Sequence, residues 1–263
     1  MLAKAQLTSG PVYRLLTYNV HRCIGTDGKL SPGRIAEVIA AAEPDVVALQ
    51  ELDVRRARTG HIDQAEEIAG RLGMEMHFHP SMRVFEELYG DAILTPQPSR
   101  LVRAGPLPGL ASRPQLEPRG ALWVAVELGG QECGVVNTHL GLRGAERSAQ
   151  VEALLGPDWL GAGPNDPCMV VGDLNALRWS RAYRRLAARF SDAQCGAARR
   201  PRATFPSCLP LLRLDHIFTS PSIQVLRTDT LRTPVARRAS DHLPLLIEFG
   251  VRPAAVRQAG GAA

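Results

Sequence analysis

The chain is expected to fold as an α/β protein, a four-layer sandwich in which two mixed β-sheets pack face to face with helices outside. Three observations predict it. Short apolar runs of strand length alternate with segments whose apolar residues recur at helical spacing. A hairpin signal interrupts the helical crossovers, so parallel and antiparallel neighbours are both expected. Clusters of acids, amides and imidazoles stand at the ends of the apolar runs, where side chains from different strands can converge on one rim.

The elements follow in order. Val12 to Leu16 reads as the first strand, and Ser31-Pro32 as a cap and first-turn proline for a helix carrying Ile35, Val38 and Ile39 up to Ala42. That helix returns the chain to a strand at Val46 to Leu49. A second helix, about Ile62 to Leu72, has Ile62, Ala65, Ile68, Ala69 and Leu72 as its stripe. Strands are expected at Met74 to Phe78, Asp91 to Leu94, Leu101 to Leu107, Ala121 to Leu128 and Gln131 to Asn137, the last two joined at Gly129-Gly130. A helix from about Ala145 to Leu155, a strand at Cys168 to Val171 and an arginine-rich helix from about Ser180 to Arg189 come next. Strands near Leu214 to Phe218, Ile223 to Thr230 and Leu243 to Phe249 finish the pattern.

The 263 residues, without a Gly-, Ser- or Pro-rich linker, fit one domain over residues 11–250, between flexible ends at 1–10 and 251–263. Apolar residues at 45% can bury an aliphatic core, and no run nears the roughly 20 apolar residues that cross a bilayer. Lys4 is followed by no apolar segment of a secretory signal, so a cytoplasmic location is expected. Five cysteines without a CxxC spacing exclude a zinc framework and are read as reduced, with Cys133 and Cys168 inside strands. Eight arginines against one acid, Asp192, lie between Arg178 and Arg202, and Arg178, Arg181 and Arg185 share a helical face. That face is either an attractor of polyanions or a solvated surface.

The polar clusters are Thr17-Tyr18-Asn19-Val20-His21, Gln50-Glu51-Leu52, Asn137-Thr138-His139, Gly172-Asp173-Leu174-Asn175 and Ser240-Asp241-His242. A rim of carboxylates, carboxamides and imidazoles without thiolates suits a hard divalent cation and a phosphate ester. With Asp215-His216-Ile217, these ordered clusters resemble the endonuclease/exonuclease/phosphatase superfamily over about Leu15 to Phe249. The resemblance implies the four-layer sandwich and a magnesium-dependent phosphoesterase, with manganese as a possible substitute.

Each residue also has a chemical reason. Glu51 at the end of a buried strand needs a cation, either magnesium or one of Arg55, Arg56 and Arg58. Asn19 and Asp241 are candidate neighbours of the metal. Asp173 and Asn175, two apart, project to one side of an extended segment, or else form an Asx-turn that ends a strand. By resemblance, Asp173 orients or deprotonates the attacking water and Asn175 holds the phosphate or that water. Asp215 and His242 are implied as a pair, and His139 as a second imidazole donor, so that Asn19, His139, Asn175 and His242 surround the phosphate. A buried, hydrogen-bonded structural role is expected for His61, His77, His79 and His216, while the role of His21 is open.

Some positions depart from the family pattern. Asp53 follows Gln50-Glu51-Leu52 where the exonuclease III branch usually has a lysine, and that branch commonly has a tyrosine in place of His139. The chain thus leans to the deoxyribonuclease I and sphingomyelinase-like side. Asp91 stands for a usual asparagine and Thr95-Pro96 for a serine-arginine ending. Arg119 and Arg143, near motif strands, are read either as ordinary surface arginines, the favoured reading, or as contacts to a substrate head group. The expected activity is phosphodiester hydrolysis by in-line water attack on nucleic acid or on a phospholipid or inositol-phosphate head group, with no obligate protein partner. The alternative is a catalytically silent binding or scaffold module.

Overall fold

A computed structural model describes residues 10–161, 166–197 and 201–252; the expected flexible ends lie almost wholly outside these residues. Strands β1 (Tyr13–Asn19), β2 (Val46–Val54), β3 (Glu75–Val84) and β4 (Glu87–Thr95) form the first sheet with two late strands, β11 (Ile223–Thr230) and β12 (Leu245–Val251). Its order is β11-β12-β1-β2-β4-β3. The second sheet has the order β5-β6-β7-β8-β10-β9, built from β5 (Ser99–Pro106), β6 (Gly120–Leu128), β7 (Gln131–Thr138), β8 (Cys168–Asp173), β9 (Ser191–Asp192) and β10 (Asp215–Thr219). In each sheet one parallel pair, β1 with β2 or β7 with β8, sits among antiparallel ones. The sheets are mixed, as the alternation of signals predicts.

Helices α1 (Pro32–Ala40), α2 (Gln64–Leu72) and α6 (Pro234–Ala239) cover the first sheet. Helices α3 (Gly144–Leu155) and α4 (Arg181–Ala187) cover the second, and the short α5 (Ala193–Ala197) follows β9. Leu15, Ala48, Ile93, Val124, Val135, Val171, Ile217 and Ile247 fill the space between the sheets, so the central strands are apolar on both faces. No helix among the described residues is long and apolar enough to cross a membrane.

Local chemistry explains the boundaries. Ser31 caps α1 by accepting from the Arg34 amide at 3.2 Å, and Asp63 caps α2 through the Glu66 amide at 3.0 Å. The same signal recurs at α6, where Thr233 accepts from Ala236 at 3.1 Å with Pro234 in the first turn. Its shortness hides it from a reading by periodicity. β3 and β4 run longer than their apolar runs because polar residues continue a hairpin as far as Val84 and Glu87. Of the expected arginine stripe, Arg178 precedes α4, while Arg181 and Arg185 stand four apart on it and Arg185 is paired with Glu152 at 2.7 Å; Arg189, outside the stripe, donates to the Leu160 and Gly161 carbonyls. All five cysteines are free, with Cys133 and Cys168 buried.

Candidate active site

The parallel pairs β1–β2 and β7–β8 end at the same edge of the molecule, and the polar clusters leave from those ends. Asn19, the last residue of β1, is held there because the Ser240 hydroxyl donates to its carbonyl at 2.8 Å. In β2 the register with β4 slips between Leu49 and Leu52, and Glu51 takes a left-handed φ of 64°. Such a bulge re-aims a side chain, and here it turns the Glu51 carboxylate into the cleft. The bulge leaves carbonyls without ladder partners. The Asn137 amide supplies donors to Leu49 and Ala92, each at 2.9 Å, and accepts from Gln50 Nε2 at 2.8 Å. Asn137 thus ties the second sheet to the first beneath the site.

Gly172 explains the glycine before Asp173. Its φ is 131°, and an added Cβ would lie 2.0 Å from the Thr138 carbonyl. β8 can therefore press against β7 just where Asp173 emerges. Asp173 Oδ1 accepts from the Asn175 amide at 2.9 Å, so the Asx-turn does form. The turn leaves Oδ2 facing the cleft, where it accepts from Asn19 Nδ2 at 3.1 Å. Asn19 Nδ2 also donates to Glu51 Oε1 at 3.0 Å, so two carboxylates share one amide.

Two imidazoles face these acids. His242 Nδ1 is 2.9 Å from Asp215 Oδ2, and its Nε2 is 3.7 Å from Asp173 Oδ2. Burial disfavours the imidazolium, yet the charges of Asp215 and Asp173 prevail and push its pKa up to about 10. His139 has the opposite character. Burial, then the nearby charges of Arg119 and His242, hold it well below the ordinary histidine range. Arg119 Nη1 lies 2.9 Å from His139 Nδ1 and Asn175 Nδ2 3.1 Å from its Nε2, so a donor stands beside each ring nitrogen and these contacts fix no single tautomer. That Nε2 is also 3.5 Å from Asp173 Oδ2. Burial raises the Asp173 pKa to about 6, which His242 and the hydrogen bonds only partly offset.

These groups line an open cleft of about 480 Å³ together with His21, Arg22, Arg58, Tyr89, Glu117, Phe205 and Asp241. Of the expected residues, Glu51, His139, Asp173, Asn175, Asp241 and His242 line it, while Asn19 and Asp215 hold liners from behind. Asp241 Oδ1 sits 3.9 Å from His21 Nδ1. For Arg119 the favoured surface reading is overturned: it is buried, bonded to His139 and lines the cleft. The register Ala121↔Thr138 sets the residue before β6 beside the residue after β7, a pairing only the hairpin alignment reveals. His61 departs from expectation only in being exposed, since its Nδ1 lies 3.0 Å from the Arg55 carbonyl; His77 and His216 bond to Ser99 Oγ and the Ala176 carbonyl. Asp91 is buried and accepts the Glu51 amide, and burial raises its pKa to about 7.

The donor set fits a hard divalent cation. Arg56 and Arg58 are engaged with Glu87 and Asp53, and among the described residues no arginine or lysine pairs with Glu51. A carboxylate without a cation, in a cleft with further oxygen donors, is what magnesium or manganese favours. A tighter trio of Asp173, Asp215 and His242 also lies within 4.8 Å of one another. Its imidazole is already bound to Asp215 and favours the protonated form, which cannot ligate a metal.

The profile of the Endonuclease/Exonuclease/phosphatase family matches residues 16–242. An uncharacterized protein of Escherichia coli K12, YbhP, is 26% identical over 255 residues, covering 90% of this chain and 96% of its own. Among solved structures, an endonuclease/exonuclease/phosphatase from Beutenbergia cavernae aligns with a TM-score of 0.77 at 22% identity, over 92% of this chain and 72% of that one. A mannosyl-6-phosphatase of Bacteroides thetaiotaomicron aligns with a TM-score of 0.72 at 21% identity, over 90% and 99%.

Proposed function

The chain belongs to the endonuclease/exonuclease/phosphatase family, and on that premise we propose that it is a magnesium-dependent phosphodiesterase that cleaves its substrate by in-line attack of water. The observation that carries this reading is the pairing of two carboxylates, Glu51 and Asp173, on one amide of Asn19, with no arginine or lysine on Glu51 and two imidazoles of opposite protonation beside them. Glu51 would hold the cation, with Asn19 and Asp241 as neighbours. The cation supplies charge neutralisation at the phosphate and a more acidic water.

The chain's own groups do the rest. Asp173, with its pKa raised to about 6, is ionised at neutral pH yet basic enough to take a proton from water. Its Oδ1 is fixed by the Asn175 amide, which leaves Oδ2 free to orient that water. His242, protonated through Asp215, offers an Nε2 proton to a phosphate oxygen. His139, held neutral, presents its Nε2 beside Asp173 and Asn175, where its Nε2–H tautomer would donate to a phosphate oxygen. Asn175 adds an amide at the same place. Charge that accumulates on phosphorus-bound oxygens thus meets donors already in position.

The test is hydrolysis of a panel with DNA, RNA, sphingomyelin, inositol phosphates and an aryl phosphodiester, with magnesium or manganese against EDTA. Metal-dependent turnover, reduced about a hundredfold or more in Glu51→Gln, is expected. Folded protein that binds neither metal nor any ester would support the silent scaffold instead.

A further inference from the structure

The five most exposed large apolar side chains among the described residues are Phe85, Leu142, Trp179, Leu209 and Leu211. All five lie on connections at the catalytic edge. Phe85 is at the β3–β4 turn, beside the end of β2, and Leu142 follows β7 and lines the cleft. Trp179 follows β8, four residues after Asn175. Leu209 and Leu211 belong to the turn that folds back on Phe205, whose ring lies 4.8 Å from His242.

These tips are built into ordered turns. Arg147 Nη1 donates to the Leu142 carbonyl at 2.7 Å, Ser180 N to the Leu177 carbonyl at 2.8 Å, and Leu211 N to the Phe205 carbonyl at 2.9 Å. Phe85 is the most telling. It is 92% exposed and adopts a φ of 52° in a two-residue hairpin turn, where glycine or asparagine is favoured. A bulky side chain in that conformation, with no apolar neighbour to bury it, works against stability on both counts. Strain kept at an exposed position points to a use outside the fold.

The tips stand on separate loops around the cleft, unlike the continuous buried centre of a protein interface. Arg143 and Arg178 adjoin Leu142 and Trp179, are exposed, and have no ion-pair partner among the described residues. Leu142 and Trp179, each beside an exposed cation, match a bilayer surface, where apolar tips enter the acyl boundary and arginines meet lipid phosphates, although Glu86 and Glu87 follow Phe85. We propose that this rim docks onto an anionic phospholipid bilayer and presents a lipid head group to the cleft. The docking deepens the phosphoesterase reading and rests on it only for the chemistry that follows.

The test uses phosphatidylcholine vesicles with and without phosphatidylglycerol, and a variant carrying Phe85→Ser, Trp179→Ser, Leu209→Ser and Leu211→Ser. Wild type should co-sediment with mixed vesicles, and its fluorescence should shift to the blue, because Trp179 is the exposed tryptophan while Trp159 is buried. The variant should bind about a hundredfold or more weaker, from the order of tenfold per buried apolar side chain. Its turnover of a soluble aryl phosphodiester should equal that of wild type. Absence of vesicle binding, or binding equal in the variant, overturns the proposal, as does a tip requirement for mixed-sequence DNA in place of vesicles. Docking as described, without hydrolysis of any ester, would sustain the docking and refute the phosphoesterase reading.

Discussion

Asp173 carries the chemistry at an energetic cost to the fold. Its carboxyl is buried and its pKa lies above that of an ordinary aspartate, so between about pH 4 and 6 the folded state increasingly strains against ionisation. Asp173→Asn should therefore slow turnover by about 10²–10⁴-fold while leaving the melting temperature at pH 7 equal or higher, with activity and thermal unfolding as the readouts. A lower melting temperature would assign Asp173 a structural role. Asp192 has the opposite sign. Burial alone would raise its pKa, but His216 at 3.8 Å, Arg213 at 2.7 Å and the Tyr183 hydroxyl at 2.7 Å hold it well below the usual range. A depressed carboxylate stabilises above the unfolded pKa near 4, and that stability is lost as pH falls through the folded value. Asp192→Asn should cost about 3 kcal/mol at pH 7 in denaturant unfolding, with the gap closing in acid.

At the scale of elements, the site depends on two departures from regular strands. The Gly172 approach to Thr138 admits no side chain, so Gly172→Ala should lower stability by about 3 kcal/mol or more and displace Asp173. Loss of activity without loss of stability would mean that β8 yields locally. The β3–β4 turn offers the converse case. Phe85→Asn should raise stability by about 1 kcal/mol, since asparagine accepts a positive φ, while vesicle binding weakens. Strand ends, capped helices and their alternation were legible in the sequence because apolar period and cap chemistry are local. The Glu51 bulge was not. Val46 to Leu49 reads as a strand with Gln50-Glu51-Leu52 at its end, and that the strand continues to Val54 through a slip becomes visible only against its partner β4. Arg119 was named near a motif strand, but its burial against His139 was not foreseen for a related reason: arginines are usually exposed, and its burial follows from hairpin register rather than from its neighbours in sequence.

For the whole molecule, two sheets stacked with their parallel pairs aligned bring β1, β2, β7 and β8 to one edge, and β10 and β12 enter from the same edge. Asn19, Glu51, His139, Asp173, Asp215 and His242, separated by as much as the length of the domain, meet there. The order of the clusters made this convergence readable; the division of labour between two imidazoles did not show, because it comes from Arg119 on one side and Asp215 on the other. Hydrolysis is predicted to depend on a cation held by Glu51. This dependence is tested most directly by turnover of a soluble aryl phosphodiester with magnesium or EDTA, in wild type and Glu51→Gln, alongside calorimetric magnesium binding. Turnover that needs magnesium and disappears, together with magnesium binding, in the variant is the predicted result. Turnover that survives EDTA, or a Glu51→Gln protein that binds magnesium and hydrolyses like wild type, would contradict it.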